Sequence, residues 1–154
     1  MHKILVSSCL LGQPVRYDGQ SKGLTNDILT RWLQEKRVVA FCPEVTGGLP
    51  TPRAPAEINA ERVIMTTGED VTSEFQLGAQ KALALCDAQQ IKFALLKESS
   101  PSCGRNTIYD GSHNGVKVAG MGLTAKKLVK AGIQVFSEEQ LPQLVSALAI
   151  AEKN

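Results

Sequence analysis

Four short, almost uninterrupted apolar runs limit what this chain can fold into: Ile4 to Ser8, Val38 to Phe41, Ile91 to Leu96 and Ile133 to Phe136. A strand that is apolar at every position, rather than at every second one, is buried on both faces, as in a parallel sheet covered by helices. The segments between the runs carry the helical period. Thr25 or Asn26 can cap a helix with Ile28, Leu29, Trp32 and Leu33 on one face, which makes Trp32 a core residue. Ser73 to Ala88 repeats Phe75, Gly78, Ala79, Ala82, Leu85 and Cys86 at three and four. Thr124 can cap a helix carrying Ala125, Leu128 and Val129, with Gly132 at its left-handed end. A last helix presents Leu141, Leu144, Val145 and Leu148, and tolerates Pro142 in its first turn. Strands alternating with helices predict an α/β fold: one Rossmann-like, three-layer domain over residues 1–154, its mainly parallel sheet flanked by helices.

The connections are as informative as the elements. Residues 10–19 read as a loop over the first strand's end, punctuated by Gly12, Pro14 and Asp18-Gly19. Cys42-Pro43-Glu44 leaves the second strand in an extended turn, because proline disfavours helix in the residue before it. Pro43, Pro50, Pro52 and Pro55 stiffen the loop that follows, which suits the wall of a site. Glu57-Ile58 and Val63-Ile64-Met65 form a small ribbon, and Ile108 to Gly111 a turn.

Chemistry collects in Lys97-Glu98-Ser99-Ser100-Pro101-Ser102-Cys103-Gly104, directly after the third run. Cys9 and Cys42 likewise follow runs, so three of the four cysteines sit at strand exits. In an open parallel sheet, ligands gather at the carboxyl ends of the strands, where distant cysteines can meet. Cys86 instead lies in a helical apolar pattern and belongs to the core. Three thiols at strand ends fit a metal site, a catalytic cysteine with incidental neighbours, or three buried cysteines; their loop-forming surroundings favour a shared site. No Cys-x-x-Cys occurs, so zinc-ribbon and thioredoxin patterns are absent. Three thiolates suit zinc with an open position, and equally a cubane iron-sulfur cluster with one iron lacking a protein ligand. His2 and His113 read as incidental. Glu44, two residues beyond Cys42, is a candidate acid or base, Ser100 a candidate hydrogen-bond partner for substrate or water, and Arg16 and Arg53 candidate anion contacts.

Composition narrows the partners. A net charge of +2, from 17 basic and 15 acidic residues with no basic run, does not argue a nucleic-acid platform. The N-terminus resembles neither a signal peptide nor a membrane span, so a cytosolic protein with reduced cysteines is expected. Nothing in the residues specifies an oligomeric state.

Ser8-Cys9-Leu10-Leu11-Gly12, Arg16-Tyr17-Asp18-Gly19, Cys42-Pro43-Glu44, Gly47-Gly48-Leu49-Pro50 and Ser100-Pro101-Ser102-Cys103-Gly104 together resemble the thiouracil desulfidase (TudS) family, formerly a domain of unknown function. The resemblance spans nearly the whole chain. It implies a bacterial cytoplasmic enzyme that removes sulfur from thiolated uracil and related compounds by non-redox, Lewis-acid chemistry at an open iron. It also implies a 4Fe-4S cluster held by three cysteines, which map to Cys9, Cys42 and Cys103, and a catalytic glutamate and serine, which map to Glu44 and Ser100. The expected partner is a small thiolated pyrimidine, since a nearly neutral chain that ends after this domain favours a free base, nucleoside or nucleotide over transfer RNA. A zinc hydrolase using the same thiols and a cluster-bearing sensor that turns nothing over are the alternatives.

Overall fold

A computed structural model of the chain describes residues 1–12 and 26–153. Among these, β1 (Ile4–Ser7), β2 (Val38–Phe41), β5 (Phe93–Leu96) and β8 (Gln134–Ser137) form an all-parallel sheet in the order β2-β1-β5-β8. Alternate residues of the apolar runs serve opposite layers. Ile4, Val6, Phe93 and Leu95 face a layer built from α1 (Asp27–Gln34) and α5 (Leu141–Glu152), through Leu29, Trp32, Leu141, Leu144 and Leu148. Leu5, Ala94, Leu96 and Val135 face the other layer, formed by α3 (Thr72–Gln89) and α4 (Leu123–Lys130), through Ala82, Cys86, Ala125 and Leu128. The expected α/β architecture with a parallel sheet between helices is therefore present.

Two antiparallel ribbons stand outside this sandwich: β3 (Ala56–Asn59) with β4 (Arg62–Met65), and β6 (Thr107–Tyr109) with β7 (Lys117–Ala119). The first is the ribbon expected from Glu57-Ile58 and Val63 to Met65; its Val63 and Met65 pack on Val71 and Phe75. The second replaces the simple turn expected at Ile108 to Gly111. Each strand has only three residues and β7 is exposed throughout, so there was no alternation of apolar residues to read.

Several boundaries differ for identifiable reasons. Asn26 is the cap of α1, its Oδ1 accepting from Ile28 N at 2.8 Å, while Thr25 lies outside the described residues. Leu33, expected on the buried face of α1, is exposed. Cys42 is extended as expected, but Pro43 opens one helical turn, α2 (Pro43–Thr46), because a fixed φ and a missing N–H cost nothing at a first helical position. This turn lies hard against α3: a Cβ on Gly78 would fall 2.0 Å from the Pro43 carbonyl oxygen. Thr124 lies within α4 rather than capping it. The free N–H groups of that helix donate instead to backbone carbonyls, Leu123 N to Pro101 O at 2.9 Å and Thr124 N to Ser102 O at 2.9 Å, so no capping side chain is needed. Gly122 allows the approach, since a Cβ there would meet Ser102 C at 2.5 Å. Among the described residues no helix is long and apolar enough to cross a membrane.

Candidate active site

The sheet order reverses direction between β1 and β5, since the chain leaves β1 toward β2 and returns to β5 on the other side. In parallel α/β sheets such a reversal opens a crevice at the carboxyl ends of the strands. A cavity of about 470 Å³ lies there, and Cys9, Cys42 and Cys103 all line it. Their positions follow from the strands: Cys9 sits in the 3-10 turn Ser8–Leu11 after β1, Cys42 follows β2, and Cys103 lies in the loop after β5. Cys86 packs in the α3–α4 layer away from the cavity, where burial holds its thiol up at about 11.

The thiols of the cavity are electrostatically coupled. Burial pushes Cys103 up to about 12; the Ser102 and Ser7 hydroxyls pull it back, while the neighbouring Cys9 and Cys42 sulfurs push it further up. Burial also raises the Cys42 thiol, against the pull of the Val45 amide at the start of α2. Thiolates crowded into one buried space oppose one another's ionisation, and a positively charged group among them removes that opposition. No three His, Cys, Asp or Glu side chains among the described residues are arranged to hold a single metal ion.

Next to the sulfurs lies a chain of polar contacts. Glu44 Oε1 accepts from Arg53 Nη2 at 3.0 Å and Nε at 3.2 Å, and Glu44 Oε2 accepts from Ser102 Oγ at 2.8 Å. Ser102 Oγ is 2.9 Å from Ser100 Oγ, which itself accepts from Ser102 N at 3.1 Å and Cys103 N at 2.9 Å. Glu44, Ser100 and Arg53, separate in sequence, thus meet at one wall of the cavity. Arg53, read from sequence as an anion contact, has its guanidinium on Glu44, on the Pro50 carbonyl and on Thr51 Oγ1. The other proposed anion contact, Arg16, lies outside the described residues.

Four contributors to the site were not assigned from sequence. Ser102 joins Glu44 to Ser100, but one serine among several has no distinguishing signal. Glu98 organises the loop: its Oε1 accepts from the amides of Ser99, Arg105, Asn106 and Thr107, and its Oε2 from Asn106 Nδ2 at 2.8 Å. Burial alone would raise that carboxyl, yet the Asn106, Thr107 and Ser99 donors bring it down to about 2. Tyr109 of β6 and Lys117 of β7 complete the far wall, with Lys117 Nζ 5.6 Å from the Tyr109 ring centroid.

An α/β protein with three cysteine sulfurs and a carboxylate–serine network at the carboxyl edge of its sheet is a defined class, and the comparisons identify which. A sequence model of the 2-thiouracil desulfurase family matches residues 4–140. The uncharacterized protein YbbK of Bacillus subtilis (strain 168) is 40% identical over 152 residues, covering 92% of this chain and 99% of that one. A solved structure described as the [4Fe-4S]-dependent thiouracil desulfidase TudS (DUF523Vcz) superposes with a TM-score of 0.96 at 59% identity, over 97% of this chain and 99% of that one. The chain belongs to the 2-thiouracil desulfurase family, as its motifs led one to expect.

Proposed function

We propose that this chain removes sulfur from a thiolated uracil, exchanging thiocarbonyl for carbonyl with water and releasing hydrosulfide, and that residues 1–154 act as one desulfidase domain. The observation that carries the reading is the convergence of Cys9, Cys42 and Cys103 on one cavity that Glu44 and Ser100 also line. In this reading the three cysteines hold a [4Fe-4S] cluster, the cofactor named for the 59% identical structure. The donor set fits such a group. Three cysteine sulfurs meet in one cavity, where Cys9 and Cys42 oppose the ionisation of Cys103, and the positive charge of a bound cluster would relieve that opposition. When bound, the cluster supplies a Lewis-acidic iron without a side-chain ligand, suited to a soft thiocarbonyl sulfur.

The chain's own residues do the rest. Glu44 accepts the proton that water loses as its oxygen attacks the thiocarbonyl carbon, and Ser100 contacts the reacting water. Arg53 fixes the Glu44 carboxylate through two N–H donors, so the base is oriented before substrate arrives. The fold keeps the attack local, because the cavity is bounded by the Pro43 to Pro55 wall and by Tyr109 and Lys117. Anaerobic assay of the iron-loaded protein on thiouracils tests the reading. It expects uracil and hydrosulfide as products, and iron-loaded protein that binds thiouracil without converting it would reduce the chain to a sensor.

A further inference from the structure

The β6–β7 ribbon lies outside the sandwich, yet it is fastened at both ends. At its root, Glu98 Oε1 accepts from Asn106 N at 2.9 Å and Thr107 N at 3.2 Å, and Ser99 Oγ lies 2.9 Å from Thr107 Oγ1. At its tip, Glu57 of β3 plays the matching part. Its Oε1 accepts from Gly111 N at 3.0 Å and His113 N at 3.1 Å, while His113 Nδ1 stands 3.6 Å from Oε2, outside hydrogen-bond range. The tip also packs closely on β3: Gly111 has φ +93°, and a Cβ there would fall 2.6 Å from the Ile58 carbonyl oxygen. The strand it docks on is itself held, since Val63 and Met65 of β4 pack on Val71 and Phe75.

Between the two fastenings stand Tyr109 and Lys117, directly paired across the ribbon and so on one face of it, and both line the cavity. Among the described residues only Phe41 and Tyr109 bring an aromatic ring to that cavity, and Phe41 packs against the α3–α4 layer. We infer that Tyr109 is a specificity-determining residue on which the flat pyrimidine ring of the substrate stacks, and that Glu57 is a positioning residue acting through it, an inference that rests on the desulfidase reading above. A conjugated six-membered ring gains from an aromatic face what an acyclic thioamide cannot, so the stack selects among compounds that share one thiocarbonyl chemistry. Lys117 Nζ, 5.6 Å from the ring centroid, helps to hold the phenol in place. The latch needs an acceptor rather than a charge. One oxygen of Glu57 meets both amides, and a glutamine carbonyl can do the same.

The test measures kcat and KM for thiouracil, and calorimetric Kd for uracil, on the iron-loaded chain and its variants. Uracil keeps the ring and lacks the sulfur, so its Kd reads the ring contact by itself. Tyr109→Leu should raise KM and the uracil Kd by about 5- to 150-fold, with the loss falling on KM rather than kcat. Tyr109→Phe, which keeps the ring, should recover the affinity that Tyr109→Leu loses. Glu57→Ala and Gly111→Ala undo the latch from opposite sides, and each should raise both constants by about fivefold or more. Glu57→Gln should recover what Glu57→Ala loses. In the Tyr109→Leu background, Glu57→Ala should add less than about twofold, because the two act as one unit. Failure of the unaltered chain to bind uracil, an unchanged uracil Kd in Tyr109→Leu, an equal loss in Tyr109→Phe, a Glu57→Gln as impaired as Glu57→Ala, or losses that multiply in the double variant would each overturn the inference. Should the alanine variants not fold, Tyr109→Leu against Tyr109→Phe decides the stack and Glu57→Gln the latch, since a latch that needs charge would fail in it. Ring-dependent uracil binding without turnover of thiouracil by the unaltered chain would instead overturn the desulfidase reading and leave the stacking residue standing.

Discussion

At the scale of single residues, position along a strand is what makes one cysteine differ from another. Cys9, Cys42 and Cys103 follow strands that are neighbours in the sheet, whereas Cys86 sits mid-helix in a packed layer. Cys103→Ser should therefore lose the iron chromophore, while Cys86→Ser should keep it at a stability cost of about 1 kcal/mol, measured by absorption and denaturant unfolding of both variants. Glu44 gives the sharper case. A glutamine there offers one oxygen and one NH₂, so it can accept from Arg53 or from Ser102 but not from both. Glu44→Gln should cut turnover by about 10²- to 10⁴-fold while thiouracil still perturbs the cluster spectrum. Near-normal turnover in that variant would remove the proton-transfer role.

What was legible at this scale followed the chemistry of residue types. A thiol after an apolar run, or a carboxylate two residues from a thiol, is rare enough to stand out. Arg53 was visible as a cation, but not that its partner is Glu44, because the loop that returns it has no period from which to compute a distance. Ser102 was hidden for a different reason: Ser99, Ser100 and Ser102 are alike in sequence, and only folding turns one toward a carboxylate.

At the scale of elements, the site depends on a loop with little regular structure that is nevertheless fastened at several points. Glu98 gathers four backbone amides of this loop on one oxygen, and α4 docks its N-terminal amides on the carbonyls of Pro101 and Ser102. Local sequence shows neither latch. The first looks like one more exposed glutamate, and the second uses main-chain atoms common to every residue. The carboxyl of Glu98 is held at about 2 in the fold against an ordinary 4.5. Its contribution is thus fully present above about 4.5 and is lost as pH falls toward about 2. Glu98→Ala should destabilise the chain by roughly 2 to 4 kcal/mol at neutral pH, by stranding buried amide donors. It should also flatten the acid limb of stability, as followed by urea unfolding between those two pH values. An unaltered acid limb in Glu98→Ala would contradict the latch.

At the scale of the whole molecule, the strand order is what turns a linear pattern into a site. The apolar runs announced a parallel sheet and made the α/β architecture legible, but burial on both faces holds only for the central β1 and β5, since the edge strands β2 and β8 are partly exposed. Their order was not, since β2-β1-β5-β8 depends on which edge each crossover takes. That order puts the exits of β2, β1 and β5 side by side, and with them the cysteines. The ribbons that wall the cavity were half legible: β3–β4 carries buried Val63 and Met65, whereas β6–β7 buries too little to leave a pattern.

The central claim is that these converging cysteines serve a hydrolytic desulfurisation rather than electron transfer. The most direct measurement is the release of hydrosulfide and uracil from thiouracil by anaerobically prepared, iron-loaded protein, with neither reductant nor oxidant supplied. The account predicts multiple turnovers, with the two products formed in equal amounts and oxygen from labelled water entering the uracil carbonyl. Turnover that stops until an electron donor is added, or uracil formed without label, would contradict it.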